Sequence, residues 1–188
     1  MLSWYRRTGW AVEGVLPSEP KFILAGAQHT SNWDFCVFLG AADDFGRFLH
    51  FMGKKALFRW PLRGLMYGLG GVPVDRSSRR NLVQQMVDQF AQRDEFLLVI
   101  APEGTRSFSG EWKTGFYQIA LEADVPIVCA APDYPSRRVR IGPTIRPTGD
   151  YAADMAKAFA FFRASTPRHP AKGYVPDGAP QPVTNARA

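Results

Sequence analysis

The sequence predicts an α/β domain: one unit in which helices cover a mostly parallel central sheet. Three observations lead there. Short, wholly apolar runs recur along the chain, as buried strands do. Segments with helical spacing of apolar residues separate them, and strands alternating with helices pair in parallel. The chain has 188 residues, of which 46% are hydrophobic and 21% charged, a globular composition long enough for one substantial core.

The first expected strand covers residues 22–27, "FILAGA". A helix over 33–45 follows it, and Ser31 with Asp34 fits the [ST]-x-x-[DE] box that starts helices. Residues 53–76 interleave Lys54, Lys55, Arg59, Arg63 and Arg76 with Phe58, Trp60, Leu62, Leu65 and Tyr67. Such amphipathic basic and aromatic segments suit a membrane headgroup layer, although a surface helix packed on the core has the same pattern. A short strand is expected at 72–74, and a helix at 81–90 behind Ser77 and Ser78, with Leu82, Val83, Met86, Val87 and Phe90 on one side. Next come a strand at 96–101, a helix at 114–123, a strand at 126–131 and a more alternating strand at 139–145. The last helix, 152–162, has Asp150 placed as its cap. The domain is expected to span 1–166, and 167–188, rich in Pro, Ala and Gly, reads as a loosely attached tail.

Two stretches carry candidate chemistry, and both follow expected strands, where sites gather in parallel sheets. In "QHTSNWD" (28–34), His29 is a candidate general base and Asp34 its orienting carboxylate. On a straight helix a five-residue separation turns two side chains about 140° apart. A helix start bends the chain, so one turn can both cap the helix and pair the two side chains. In "APEGTRSFSG" (101–110), Gly104 permits a sharp turn, while Thr105, Ser107, backbone N–H groups and the Arg106 fork can hold a phosphate or carboxylate. An ordinary polar turn would read alike. Walker spacing and a dinucleotide fingerprint are both absent.

Lys and Arg exceed Asp and Glu by 23 to 17, a net charge of +6 that suits an anionic partner. The two cysteines, Cys36 and Cys129, lie in apolar stretches without CxxC spacing, so neither a disulfide framework nor a zinc cluster is expected, and Cys36 reads as a buried structural residue. Three scattered histidines do not suggest a metal site. The apolar runs are far shorter than the roughly 18 residues of a membrane span. The opening "MLSWYRRTGW" has charges where a signal peptide has its apolar core. The chain is therefore expected to be soluble or peripheral.

In this order, over residues 20–135, these stretches resemble the glycerolipid acyltransferase family, the 1-acylglycerol-3-phosphate acyltransferases and their relatives. "HTSNWD" matches its H-x-x-x-x-D motif, "PEGTRS" its E-G-T-R-S motif, and "LFRWPLRGLMYGLGGVPVDR" its second motif region. "VPIVCAA" (125–131) is similar to its fourth, proline-containing motif. Gln28 stands where relatives often have Asn, and Ala56 where they often carry an acid.

The resemblance implies an acyltransferase-like fold and transfer of a fatty acyl group from a thioester to a lysophospholipid hydroxyl, by default that of 1-acylglycerol-3-phosphate. His29 would be the base and Asp34 its positioner. Lys54, Arg76 and Arg106 would bind the acceptor phosphate, with Glu103, Gly104 and Thr105 shaping that pocket. The donor is acyl-CoA or acyl carrier protein, and no cofactor or metal is implied. The expected location is cytoplasmic, peripheral on the inner face of the cell membrane through contact with its anionic surface. Another lyso-lipid acceptor and a catalytically silent phospholipid-binding module stay open. A nucleic-acid binder fits poorly, because the strands read as buried and the basic residues gather beside the motifs.

Overall fold

The computed structural model describes residues 2–75 and 79–177. Seven strands form one sheet: β1 (Ala11–Glu13), β2 (Lys21–Gly26), β3 (Leu49–Lys54), β4 (Gly71–Val74), β5 (Phe96–Ile100), β6 (Ile127–Asp133) and β7 (Arg138–Ile145). Their spatial order is β1-β7-β6-β2-β5-β3-β4. Every neighbouring pair is parallel except β6 and β7, which a tight turn joins as an antiparallel hairpin. The expected single, mostly parallel α/β sheet is therefore the fold.

The helices are α1 (Leu2–Arg7), α2 (Trp33–Phe45), α3 (Arg63–Gly68), α4 (Arg79–Gln92), α5 (Gly115–Glu122) and α6 (Tyr151–Arg163). Alternate residues of the central strands face opposite ways, so one run of apolar residues fills two cores. Ile23, Ala25, Phe96, Leu98, Ile127 and Cys129 pack beneath residues of α4, α5 and α6. Phe22, Leu24, Leu97 and Val128 face the other way, toward Phe38, Ala42 and Phe45 of α2. A third cluster joins Tyr5 of α1, Trp10, Val37 and Ala41 of α2, and Val139 of β7. Gly40 makes this possible: a Cβ there would lie 2.2 Å from the Tyr5 ring.

The sequence did not announce β1, β3, α1 or α3; of the two strands, β1 lies at a sheet edge and β3 between β5 and β4. β1 has three residues at a sheet edge, α1 is a six-residue helix, and β3 carries His50 and Gly53 inside its apolar run. The cap of α6 is as expected, with Asp150 Oδ1 accepting from the N–H groups of Ala152 and Ala153 at 3.1 Å. The expected Ser77–Ser78 cap of α4 lies outside the described residues.

The chain does not leave the body at Pro167. Tyr174 and Val175 pack against the main core, and Trp112 Nε1 donates to the Tyr174 carbonyl at 2.9 Å. His169 N–H donates to Thr30 Oγ1 at 3.2 Å. The expected loose tail is thus docked through residue 177, and 178–188 lie outside the described residues. The sequence hid this because single aromatic anchors between prolines leave no periodicity.

Candidate active site

β2, β3 and β5 run parallel, so the segments that leave them emerge on one edge of the sheet. The turn 27–32 follows β2, Lys54 ends β3, and the turn 101–107 follows β5. A cavity of about 1550 Å³ opens along this edge; its lining includes His29, Lys54, Thr105, Arg106 and Lys113 together with Phe35, Phe38, Phe51 and Val99. Its volume exceeds the roughly 300–1,000 Å³ of a small-molecule pocket, so it has room for a long ligand with an apolar and a charged end.

His29 and Asp34 meet as expected. His29 Nδ1 and Asp34 Oδ2 are 3.0 Å apart. The same Oδ2 accepts from the N–H groups of Thr30 and Ser31 at 2.9 Å. Ser31 Oγ in turn accepts from Trp33 N–H at 3.1 Å. Only half of the expected capping box forms: Asp34 accepts from Ser31 N–H, but the helix N-cap is Asn32, which makes no side-chain cap hydrogen bond, and the same Asp34 carboxylate meets the imidazole. Asp34 has 8% of its surface exposed, so burial opposes its charge. Hydrogen bonds from His29, Tyr134 and Ser31 outweigh that and hold its carboxyl below the ordinary range. An ionised carboxylate only accepts, so the imidazole proton sits on Nδ1 and leaves the Nε2 lone pair for a substrate proton.

Tyr134 was not legible as a site residue. Its OH donates to Asp34 Oδ1 at 2.5 Å, across 100 positions of sequence. It stands in the β6–β7 turn, its N–H donating to the Thr166 carbonyl at 3.0 Å and its ring edge-on to Trp10. Burial and the Asp34 carboxylate both push its hydroxyl's pKa up, so it remains a donor at all ordinary pH. The Arg168 guanidinium lies over both Tyr134 and Trp33. Gln28, the departure from the family's Asn, ties the same turn to α6 through bonds to the Phe162 and Ser165 carbonyls, each 3.1 Å.

Glu103 does not line the cavity wall. It lies behind it, 4% exposed, with Oε1 accepting from His29 N–H at 3.2 Å and Oε2 buried without a hydrogen-bond partner among the described residues. Burial pushes its carboxyl up to about 7. Gly104 holds φ +63°, and a Cβ there would come within 2.9 Å of Lys113 Nζ. Ser107 N–H donates to Thr105 Oγ1 at 3.2 Å, which shapes the turn bearing Arg106. Lys54, Arg106 and the unanticipated Lys113 thus give the cavity three cations, while Arg76 lies outside the described residues.

Cys129 is buried, which pushes its thiol up to about 12, so no thiolate chemistry is available there near neutral pH. Cys36 is half-buried on α2 rather than fully enclosed. Among the described residues no group of three or more His, Cys, Asp or Glu is placed to hold a metal ion.

A family model described as Acyltransferase matches residues 11–131. Among solved structures the chain is similar to the 1-acyl-sn-glycerophosphate (LPA) acyltransferase PlsC from Thermotoga maritima. The TM-score is 0.57 and the identity 20%, over 85% of this chain and 73% of that one. At that identity the likeness speaks for the fold. No curated protein matches the sequence.

Proposed function

The chain belongs to the acyltransferase family, and on that premise we propose that it transfers a fatty acyl group from an acyl thioester to a lysophospholipid hydroxyl, giving phosphatidic acid when the acceptor is 1-acylglycerol-3-phosphate. The single observation that carries the reading is the His29–Asp34 pair, set beside three cations in a cavity with a partly apolar lining. An alcohol attacks a thioester slowly until a base takes its proton. His29 Nε2 takes the acceptor's proton as its oxygen bonds to the thioester carbonyl carbon. Asp34 holds the ring's orientation and stabilises the imidazolium. When the tetrahedral intermediate collapses, the carbon–sulfur bond breaks and the thiolate leaves, and the proton on His29 returns to it. Ester and thiol are the products, and no acyl-enzyme forms because the acceptor is itself the nucleophile.

Lys54 and Arg106, together with Arg76, hold the acceptor phosphate in this reading, and Lys113 lies within reach of the same anion. An Arg fork matches two phosphate oxygens at once. Gly104 and Thr105 form the turn that presents Arg106, and Glu103 fixes the backbone of His29 from behind. Acyl-CoA and acyl carrier protein both present the thioester on a phosphopantetheine arm, and a basic cavity mouth suits either. In this reading the enzyme meets its lipid from the cytoplasmic face as a peripheral protein; among the described residues no helix is long and apolar enough to cross a membrane.

The test uses purified protein, palmitoyl-CoA and lysophosphatidic acid in detergent, with free thiol followed over time and His29→Ala in parallel. Acceptor-dependent thiol release, lost by about 10³-fold in the variant, is the expected result. Release without acceptor would make the protein a thioesterase. No release with a panel of lyso-lipids and both donors would make it a binding module.

A further inference from the structure

We propose that residues 54–68 form the face by which this protein seats on an anionic lipid bilayer, with the cavity mouth at the lipid surface. The inference rests on the lysophospholipid reading above and names how that substrate is reached. The exposed large apolar side chains concentrate in this segment: Trp60 has 91% of its surface in water, Leu65 58%, Tyr67 47%, Leu62 45% and Leu57 41%. Such a density on a lone chain marks an interaction surface.

The charge of the segment selects the occupant. Lys54, Lys55, Arg59 and Arg63 are all exposed, and no Asp or Glu occurs between Asp44 and Asp75, of which Asp75 pairs with Lys55 at 3.4 Å. Interleaved aromatic, aliphatic and cationic residues with no acid match a layer of anionic headgroups above acyl chains. Lysine is depleted at protein–protein interfaces, and the segment opens on two, Lys54 and Lys55.

The segment is also mounted as a platform. Phe58 is buried and acts as its anchor: Cβ atoms at Gly53 and Gly71, on neighbouring strands, would each come within 2.8 Å of its ring. The Phe58 and Tyr67 rings meet edge-to-face at 5.1 Å, which ties the two ends of the segment together. The basic and apolar side chains between these ties are left pointing away from the body. Lys54 and Leu57 line the cavity that His29 lines. A lyso-lipid could therefore pass from the bilayer to the base without its chain crossing water.

Flotation with vesicles of phosphatidylcholine, with and without phosphatidylglycerol, tests this on the full chain. The variants are Arg59→Gln with Arg63→Gln, and Trp60→Ser with Leu65→Ser. Wild type is expected to float with the anionic vesicles and to be released by salt. The charge pair should weaken that binding about 25-fold, at about fivefold per basic residue. The apolar pair should weaken it at least about tenfold. Turnover of a short-chain lysophosphatidate below its micelle concentration should be unchanged in both variants, since neither touches the cavity. Binding as tight as wild type in both variants would overturn the proposal. So would a wild-type dimer that ignores vesicles and becomes monomeric in the apolar variant, because a second copy would then cover this face. Equal loss of short-chain turnover in both variants would overturn it too, making the segment part of the catalytic cavity. Vesicle binding through this face with no acyl transfer to any acceptor would leave the proposal standing and sink the acyltransfer reading instead.

Discussion

Two regions meet at the cavity, and they are built in opposite ways. The turn 27–34 buries Thr30, Ser31 and Asp34 and is crowded with hydrogen bonds: Asp34 alone receives donors from Thr30, Ser31, His29 and Tyr134. Residues 54–68 face it with almost every side chain in solvent and Phe58 as the buried anchor. The difference follows from the tasks proposed for them. A base must be held in place before substrate arrives, because reorganising it later adds to the barrier. A docking face must instead leave apolar and cationic groups unsatisfied until a partner covers them. In one molecule the same edge of the sheet supports both.

The largest effect should come from breaking the buried side of that contrast. Asp34→Asn keeps the shape but places an amide where the imidazole needs an acceptor, and the Tyr134 hydroxyl and two N–H groups then compete for one oxygen. Turnover is expected to fall by about 10³-fold or more, with melting changed far less. A loss below about tenfold would show that the pair is structural. Asp34 also bears on acid stability. Its folded carboxyl lies below the ordinary range, so its contribution is present above the unfolded value and is lost as pH falls through the folded one.

Glu103 has the opposite sign, and that sharpens the contrast within the buried side itself. Its carboxyl sits at about 7 against an ordinary 4.5, because burial outweighs the hydrogen bonds from its own backbone N–H and that of His29. The folded chain therefore keeps a proton that the unfolded chain gives up. Stability is greatest below pH ~4.5 and falls as pH rises through ~7. Glu103→Gln keeps an acceptor for His29 N–H and removes the titration. At pH 8 it should be more stable than wild type by up to about 3 kcal/mol, from about 2.5 units at ~1.36 each, and equal to it near pH 4. Denaturant melts across that range decide. Parallel curves for the two proteins would show that Glu103 finds a partner for Oε2 and stays charged.

Where the chemistry meets the exposed side, the effect should be one of binding. Arg106→Ala is expected to raise KM for a phosphate-bearing acceptor about 10- to 100-fold, the worth of a charge-assisted hydrogen bond, with kcat changed less. An acceptor without phosphate should not register the change. If both acceptors lose equally, Arg106 serves the fold or the donor instead.

How much of this was legible depends on sequence distance. His29, Asp34 and the turn bearing Glu103, Gly104, Thr105 and Arg106 lie in short local motifs, each next to an apolar run that marks a buried strand. The central strands and four of the helices could be placed for the same reason. What escaped depends on contacts between distant segments. β1 and α1 are too short to show a period, and β3 pairs with β4 and β5 despite its His and Gly. The docked stretch 167–177 holds on by Tyr174, Val175 and His169 N–H, none of which stands out in a Pro-rich run. Lys113 lies beyond the turn it serves.

Tyr134 is the clearest case, and it carries the smallest effect. It follows the last strand residue of β6, where a tyrosine looks like ordinary turn chemistry, and it lies outside the stretch the family model matches. Only the fold shows its hydroxyl on Asp34. Tyr134→Phe removes that one donor and keeps the ring against Trp10. Asp34 then concentrates its charge on the bond to His29 and holds the imidazolium more firmly. Two consequences separate positioning from packing. The kcat at optimal pH should fall about five- to tenfold with KM little changed, a share of what a hydrogen bond to a charged group is worth. The acid limb of kcat/KM should move to higher pH, because the protonated imidazole is favoured. A purely structural tyrosine would lower stability and leave the limb where it is. A shifted limb would mean that the catalytic pair is a group of three, with its third member supplied from the end of the neighbouring strand β6.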